Sequence, residues 1–240
     1  MNDTYKKSYN LINANLQVLI KSDINALFLL SKAGLGKTTL TLKTMQKSGY
    51  QEGGHYAYYN SYFTPLAFFK ALNEVNKLKA PKIMVLDDVE MILKDKNILN
   101  LMKASTWQNE KNKRTITYET TSTLIPETEK KIDFGGKMII LLNEIPDKNP
   151  SLSAMIDRSL FLELKFTNKE IFDLMESEIL KKDYAGLKPN QRYKVFNFIK
   201  TNATKESDIS FRTLIKGFNN FLYAPNSWQE MVLESLKPQN

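Results

Sequence analysis

The segment ALFLLSKAGLGKTTLTLKTMQK, residues 26–47, is the one from which the architecture follows. Its first five residues are apolar without alternation, the pattern of a short strand buried on both faces of a parallel sheet. Two glycines then break the run, and from Lys37 to about Lys47 the pattern is helical. A buried strand, a glycine turn and a helix, in that order, form a phosphate-binding loop, for which the pattern is G-x-x-x-x-G-K-[ST]. Gly34 and Gly36 let successive N–H groups turn inward, and the new helix points its positive end at the same place. Gly34, Leu35, Gly36, Lys37, Thr38 and Thr39 are therefore the expected nucleotide contacts, Lys37 at the terminal phosphates and Thr38 offering its hydroxyl to Mg²⁺. The pattern asks for glycine where this chain has Ser31, which serves only if its φ is negative.

Working outward, residues 5–20 place Tyr5, Tyr9, Ile12, Leu16, Leu19 and Ile20 at helical spacing. Further strands are expected at His55–Tyr59, at IMVLD (83–87), at MIILL (138–142) and at LFLEL (160–164). Helices are expected from Thr64 to Val75, opened by Pro65, and around Ile98–Trp107. Strands alternating with helices imply an α/β fold with a mostly parallel sheet covered on both faces. From Thr167 onward only helical segments follow. The first is opened by a capping box of Thr167 and Glu170, and later ones start near Pro189, run through Phe211, Leu214, Ile215 and Phe218, and follow Ser227. The expected organisation is a sheet domain carrying the glycine loop over 1–166 and a small helical lid over 167–240.

Composition narrows the chemistry. Of 240 residues none is cysteine and one is histidine, His55, which excludes disulfides, thiolate nucleophiles and any Cys/His zinc site. Apolar runs no longer than Ala26–Leu30 or Met138–Leu142 fall far short of the ~18 residues of a membrane helix. The polar start MNDTYKKSYN lacks the apolar core of a secretory signal, so a cytoplasmic location is expected. The net charge is +8. Residues 167–240 hold 11 basic and 9 acidic groups, leaving 23 and 17 for residues 1–166, so a polyanion partner is expected on the sheet domain. Only four of the 34 basic residues are arginine, which suggests that those positions need a planar fork lysine cannot imitate.

The second chemical motif is IMVLDDVE, residues 83–90. Four apolar residues of a central strand deliver Asp87 to hold Mg²⁺ and Asp88 to polarise the attacking water, with Glu90 as the reserve base.

Together GLGKTT and IMVLDD resemble the nucleotide and magnesium motifs of the AAA+ branch of P-loop ATPases, and the resemblance extends over nearly the whole chain. It implies further roles, residue by residue. Asn143, in LLNEIP, is similar to the family's first sensor, an amide that orients the hydrolytic water. Asn60, ending YAYYN, matches an asparagine that in several members restrains the catalytic carboxylate, with a plain turn residue as the equal alternative. Arg158, in AMIDRSLFLEL, falls where the family carries the arginine finger that enters a neighbouring subunit's site, the alternative being an ion pair with Asp157. Arg212, in SFRTLIKGF, resembles the lid's second sensor, the alternative being a plain surface arginine. About thirty residues, Ala104–Lys137, precede the first sensor, where some members insert a DNA-contacting β-hairpin. Lys111, Lys113 and Arg114 would mark its basic edge, although Glu110, Glu119, Glu127 and Glu129 dilute it and a structural insertion reads equally well. Thr64-Pro65, LDDVE and FGGKMIILLNEIP resemble ATPases carried by phages and plasmids.

The resemblance implies a Mg²⁺-dependent ATPase that binds ATP, assembles as a homo-oligomeric ring, hexameric in the usual case, and acts on DNA as a helicase, helicase loader or replication remodeller. The alternative is a nucleotide-gated switch of the STAND type, with slow hydrolysis and a protein partner. Asn143, where such switches more often carry arginine, and Arg158 favour the first.

Overall fold

The computed structural model describes residues 3–60, 62–107, 114–119, 126, 130–146, 150–184 and 186–237. The chain divides into two compact units that are not two consecutive stretches of sequence. One comprises Asn10–Ser31 and Lys37–Leu164; the other comprises the chain up to Tyr9, Lys32–Gly36 and Lys165 onward.

The first unit is built on a parallel sheet of β1 (Ala26–Ser31), β2 (Tyr56–Tyr59), β3 (Ile83–Asp87), β6 (Lys137–Leu142) and β7 (Leu160–Leu164), in the order β2-β3-β6-β1-β7. The apolar runs are central because both of their faces are covered. Phe28, Met84, Leu86, Ile140 and Leu142 join one cluster with Phe68 and Leu72 of α3 (Pro65–Asn76), Leu99 and Met102 of α4 (Lys96–Thr106) and Leu152 of α5 (Pro150–Asp157). On the opposite face Leu27, Leu29, Val85, Ile139 and Leu141 are also fully buried. Two further helices complete the unit, α2 (Lys37–Lys47) and the later turns of α1 (Asp3–Lys21), contributing Leu40, Met45, Ile12, Leu16 and Leu19 to the core.

Local sequence sets the boundaries. Thr64 caps α3 by accepting from the Ala67 amide, and Pro65 occupies the first turn, where a missing N–H goes unnoticed. Asp95 caps α4, accepting from the Asn97 and Ile98 amides, so this helix starts two residues before the apolar spacing suggested.

The insertion before β6 holds a two-stranded antiparallel ribbon, β4 (Thr115–Thr117) with β5 (Lys131–Asp133). Ile116, Ile132 and Phe134 are buried in the same cluster as Phe68 and Met84, so the base of the insertion is part of the core. Arg114 corrects the expected basic edge. It is only 8% exposed, and its guanidinium donates to the backbone carbonyls of Ser105 (2.8 Å) and Gly136 (2.6 Å) beside the Phe134 ring. Burial pulls its pKa down to about 10, which leaves it charged at neutral pH but out of reach of a DNA phosphate. Lys111 and Lys113 lie outside the described residues.

The second unit contains α6 (Asn168–Glu178), α7 (Pro189–Asn202), α8 (Phe211–Tyr223) and α9 (Trp228–Ser235). The capping box of Thr167 and Glu170 forms at the head of α6 and holds the Glu170 carboxyl below its usual range through the Thr167 backbone and hydroxyl. Phe172, Phe196, Leu214, Phe218 and Trp228 make its core, and Leu35 of the glycine loop is buried among them.

Replacing Arg114 by Ala strands two buried carbonyls and is expected to lower the unfolding free energy by about 2–4 kcal/mol in denaturant titrations. Lysine, which cannot fork to both acceptors, should restore only part of the loss.

Candidate functional site

The register of the sheet brings the chemistry to one edge. Leu30 pairs with Leu142 across β1 and β6, and Asp87 pairs with Leu141 across β3 and β6. The strands therefore leave Ser31, Asp87 and Asn143 together where their carboxyl ends emerge, the usual place for a ligand in an open α/β sheet.

Within the sheet unit, Lys37, Thr38, Asp87, Asp88 and Asn143 form one connected group. Lys37 is buried at 7% exposure, and its Nζ donates to Asn143 Oδ1 at 2.6 Å and lies 3.6 Å from Asp88 Oδ1. The Asn143 amide nitrogen donates to Asp88 Oδ1 at 2.8 Å, closing the triangle. Asp88 has φ +52°, a left-handed conformation tolerated by a short polar side chain at a cost of about 1–2 kcal/mol. The chain reverses there while the Asp88 amide donates to the Leu141 carbonyl, at 3.3 Å, and the half-exposed carboxylate faces Lys37 and Asn143. Glu90 is committed elsewhere: its Oε1 accepts from the Asn143 backbone amide at 2.7 Å, fixing the turn that carries the asparagine.

Asp87 is 4% exposed. Its Oδ2 accepts from the Thr38 hydroxyl and from the Tyr58 phenol, both at 2.7 Å, while its Oδ1 is buried without a hydrogen-bond partner. Burial first, and then the bond to Asp87, push the Tyr58 phenol well above its usual pKa, so it remains a donor. An orphaned carboxylate oxygen beside a threonine hydroxyl suits a hydrated Mg²⁺, which needs only one or two protein oxygens when phosphates and water supply the rest. No cluster of three or more His, Cys, Asp or Glu exists among the described residues, so a metal held wholly by protein side chains has no place there.

In the other unit, Gly34 (φ +74°) and Gly36 (φ +81°) take backbone conformations that side chains resist. A Cβ on Gly34 would lie 2.9 Å from Ser210 Oγ and 3.2 Å from Arg212 Cγ, and the Phe211 amide donates to the Gly34 carbonyl at 3.0 Å. Arg212 thus stands beside the first glycine, in a polar cavity of about 230 Å³ shared with Ala33, Asp208, Thr213 and Lys216. Leu35 has its side chain in the helical core and offers only its backbone.

Three expected residues are not drawn into these groups. Thr39 is exposed on α2. Asn60 is exposed and makes no hydrogen bond to Asp88; Asn143 makes that bond instead. Arg158 is at the other edge of the sheet, just before β7, whose Leu160 pairs with Leu27 near the start of β1. It does not pair with Asp157 but stacks 3.6 Å over the Trp107 ring, and Arg158 and Trp107 line a cavity of about 330 Å³ with Asp23, Ile24, Asn25 and Thr106. From that edge to the carboxyl ends of the strands is about 17 Å at ~3.3 Å per residue, beyond the reach of one arginine. Sequence reasoning missed Tyr58. Strand parity alone would have put it on the Asp87 face, once β2 was known to lie beside β3.

No family model matches the chain. A protein of Enterobacteria phage T4, described as an uncharacterized 36.7 kDa protein in the nrdC-mobD intergenic region, is 27% identical over 249 aligned residues, covering 97% of this chain and 74% of that protein. Thermotoga maritima RuvB, solved as a point mutant, superposes with a TM-score of 0.57 at 11% identity over all of this chain and 73% of its own. AMPPCP-bound DnaA from Aquifex aeolicus superposes with a TM-score of 0.53 at 14% identity over 96% of this chain. The chain spans less than two thirds of that DnaA structure, 65% of its length. Among the described residues no helix is long and apolar enough to cross a membrane. With the phosphate-loop helix following β1, β6 inserted between β1 and β3, and a C-terminal set of helices, the chain has the fold of the AAA+ P-loop ATPases.

Proposed function

We propose that the protein is a Mg²⁺-dependent ATPase that works as a homo-oligomer on DNA. The observation that carries the reading is the convergence of Lys37, Thr38, Asp87, Asp88 and Asn143 at one sheet edge. In this reading the backbone of Gly34–Thr39 surrounds the phosphates, and Lys37 moves from Asn143 to the β and γ oxygens. Mg²⁺, held by Thr38 and through water by Asp87, would neutralise charge on the β and γ phosphates. Asp88 accepts the proton of the attacking water, and Asn143 orients that water. Once Lys37 leaves, the Asn143 side chain keeps its bond to Asp88, so the two act on the same water. Glu90, tied to the Asn143 amide, positions the sensor and is not the base. Arg212, beside Gly34, is the lid's contact to the nucleotide.

Arg158 lies too far from Lys37 of its own chain to serve its own site, which supports a finger given to a neighbour. The ring follows from that role. A DNA partner is supported by the charge of +8 and by the nature of the similar folds, a DNA replication initiation factor and a Holliday junction branch migration motor among them. Arg114 is buried and drops out of the expected contact surface, which leaves Lys111 and Lys113 as its proposed members.

Lys37→Ala is expected to abolish ATP binding in calorimetry. Asp88→Asn should keep binding but lower turnover by roughly 10²-fold or more, the scale for losing a general base, while Glu90→Gln should reduce it less. If Glu90→Gln were the crippling change, the base would have to be reassigned. Arg158→Ala should bind ATP yet lose turnover, a finger being worth roughly 10³-fold or more. Mixing it with Lys37→Ala subunits should recover part of the activity, because each supplies what the other lacks. Mixed assemblies that form but stay inactive would refute the finger in trans. Steady-state ATPase assays with and without single- and double-stranded DNA, at fixed salt, test the DNA reading.

A further inference from the structure

Tyr58 stands on β2, where the expected functional residue was Asn60 at the strand's end, yet it is the Tyr58 side chain that ends at Asp87. The register explains the meeting. Tyr58 pairs with Val85, two residues before Asp87 on the same face of β3, so the phenol projects along that face toward the carboxyl end of the sheet. Its hydroxyl donates to Asp87 Oδ2 at 2.7 Å, the same oxygen that takes the Thr38 hydroxyl at 2.7 Å. Two donors on one oxygen leave the other, Oδ1, fully buried and without a partner. That division is costly by itself, since a buried carboxylate oxygen without a donor gives up its hydration with nothing in exchange. It makes sense where a hydrated cation is to supply the missing donor.

We infer that Tyr58 is a positioning residue for the metal site, holding Asp87 by Oδ2 so that Oδ1 stays open to the hydration shell of Mg²⁺. The inference rests on the nucleotide reading above and deepens it. Thr38 by itself is a poor anchor for the carboxylate, because its hydroxyl must keep a lone pair for the metal while its proton points at Asp87. Tyr58 is rooted in a different strand, does not touch the metal, and fixes the carboxylate in the absence of ligand. Phenylalanine would fill the same space but lack the donor.

The test separates the metal from the nucleotide. Binding of a non-hydrolysable ATP analogue to the full chain is measured by calorimetry in EDTA and in Mg²⁺, and the ratio of the two affinities is the quantity read. Tyr58→Phe is expected to leave the affinity in EDTA unchanged and to cut the tightening by Mg²⁺ on the order of tenfold, the lower end of the loss seen when a ligand's outer partner is removed. Replacing Tyr58 by 4-aminophenylalanine, which keeps both ring and donor, should restore the ratio. An unchanged ratio in Tyr58→Phe overturns the inference, and so does an equal loss with and without metal, which would make the ring a support for the whole site. A parent protein that fails to bind the analogue under either condition would instead overturn the nucleotide reading, and the inference with it.

Discussion

A parallel sheet releases all of its strands at one edge, and the order of those strands decides which residues meet there. In this chain β6 is inserted between β1 and β3. Had β1 and β3 been neighbours, Asn143 would have emerged beside one of them and not between the helix that follows β1 and the acids that follow β3. The insertion lets Asn143 touch Lys37 on one side and Asp88 on the other. It also requires β6 to be apolar on both faces, which is why Met138–Leu142 are all fully buried and read as an unbroken run. The core and the site are therefore set by the same strand.

The opposite edge is arranged for rigidity. Lys137, at the start of β6, donates to the Ser22 and Ile24 carbonyls and to Asn25 Oδ1, while Asn25 in turn donates to the Thr106 carbonyl. Burial, followed by the nearby Arg114, pulls the Lys137 pKa below its usual value, so both cations are held at an electrostatic cost that their carbonyl partners offset. One edge of the sheet thus commits these polar groups to backbone acceptors. At the other edge, a carboxylate oxygen remains unmatched and an aspartate sits in a left-handed conformation. Left-handed backbone occurs at both edges, since Lys82 just before β3 has φ +56°, so the working edge is marked by its unmatched buried oxygens, Asp87 Oδ1 and Ser31 Oγ.

How much of this was legible in the sequence depended on whether the signal was local. The strand–glycine–helix order of residues 26–47, the unbroken apolar runs and the capping pair Thr167 and Glu170 are local, and each element lies where its pattern put it within a few residues. Where a side chain points across the sheet is not local. Tyr58 could be connected to Asp87 only through the pairing of β2 with β3. Asn60 shared the right strand end but is turned to solvent, leaving the asparagine on β6 to bond the acid. Arg114 shows the same limit from the other direction. Its charged neighbours suggested a surface, whereas the acceptors that bury it are the carbonyls of Ser105 and Gly136, and a backbone carbonyl leaves no trace in a sequence.

The four arginines carry that point further. In a chain that takes lysine for most of its positive charge, an arginine tends to sit where a planar cation has something flat or forked to meet. Arg114 reaches two carbonyls, and Arg192, 4% exposed, bonds the Lys182 carbonyl and approaches Asp183. Arg158 lies against the Trp107 ring. Scarcity thus pointed correctly to need but not to its kind, because an architectural carbonyl and an aromatic face select the same guanidinium. The distinction comes from exposure. The two buried arginines direct their charge into the fold. Arg158 and Arg212, both exposed, keep a charged face turned outward, Arg158 from the quiet edge of the sheet and Arg212 from beside Gly34. An exposed guanidinium stacked on an aromatic ring keeps its other face open to an anion, and it is on that exposed face of Arg158 that the proposed role in a neighbouring subunit's site rests.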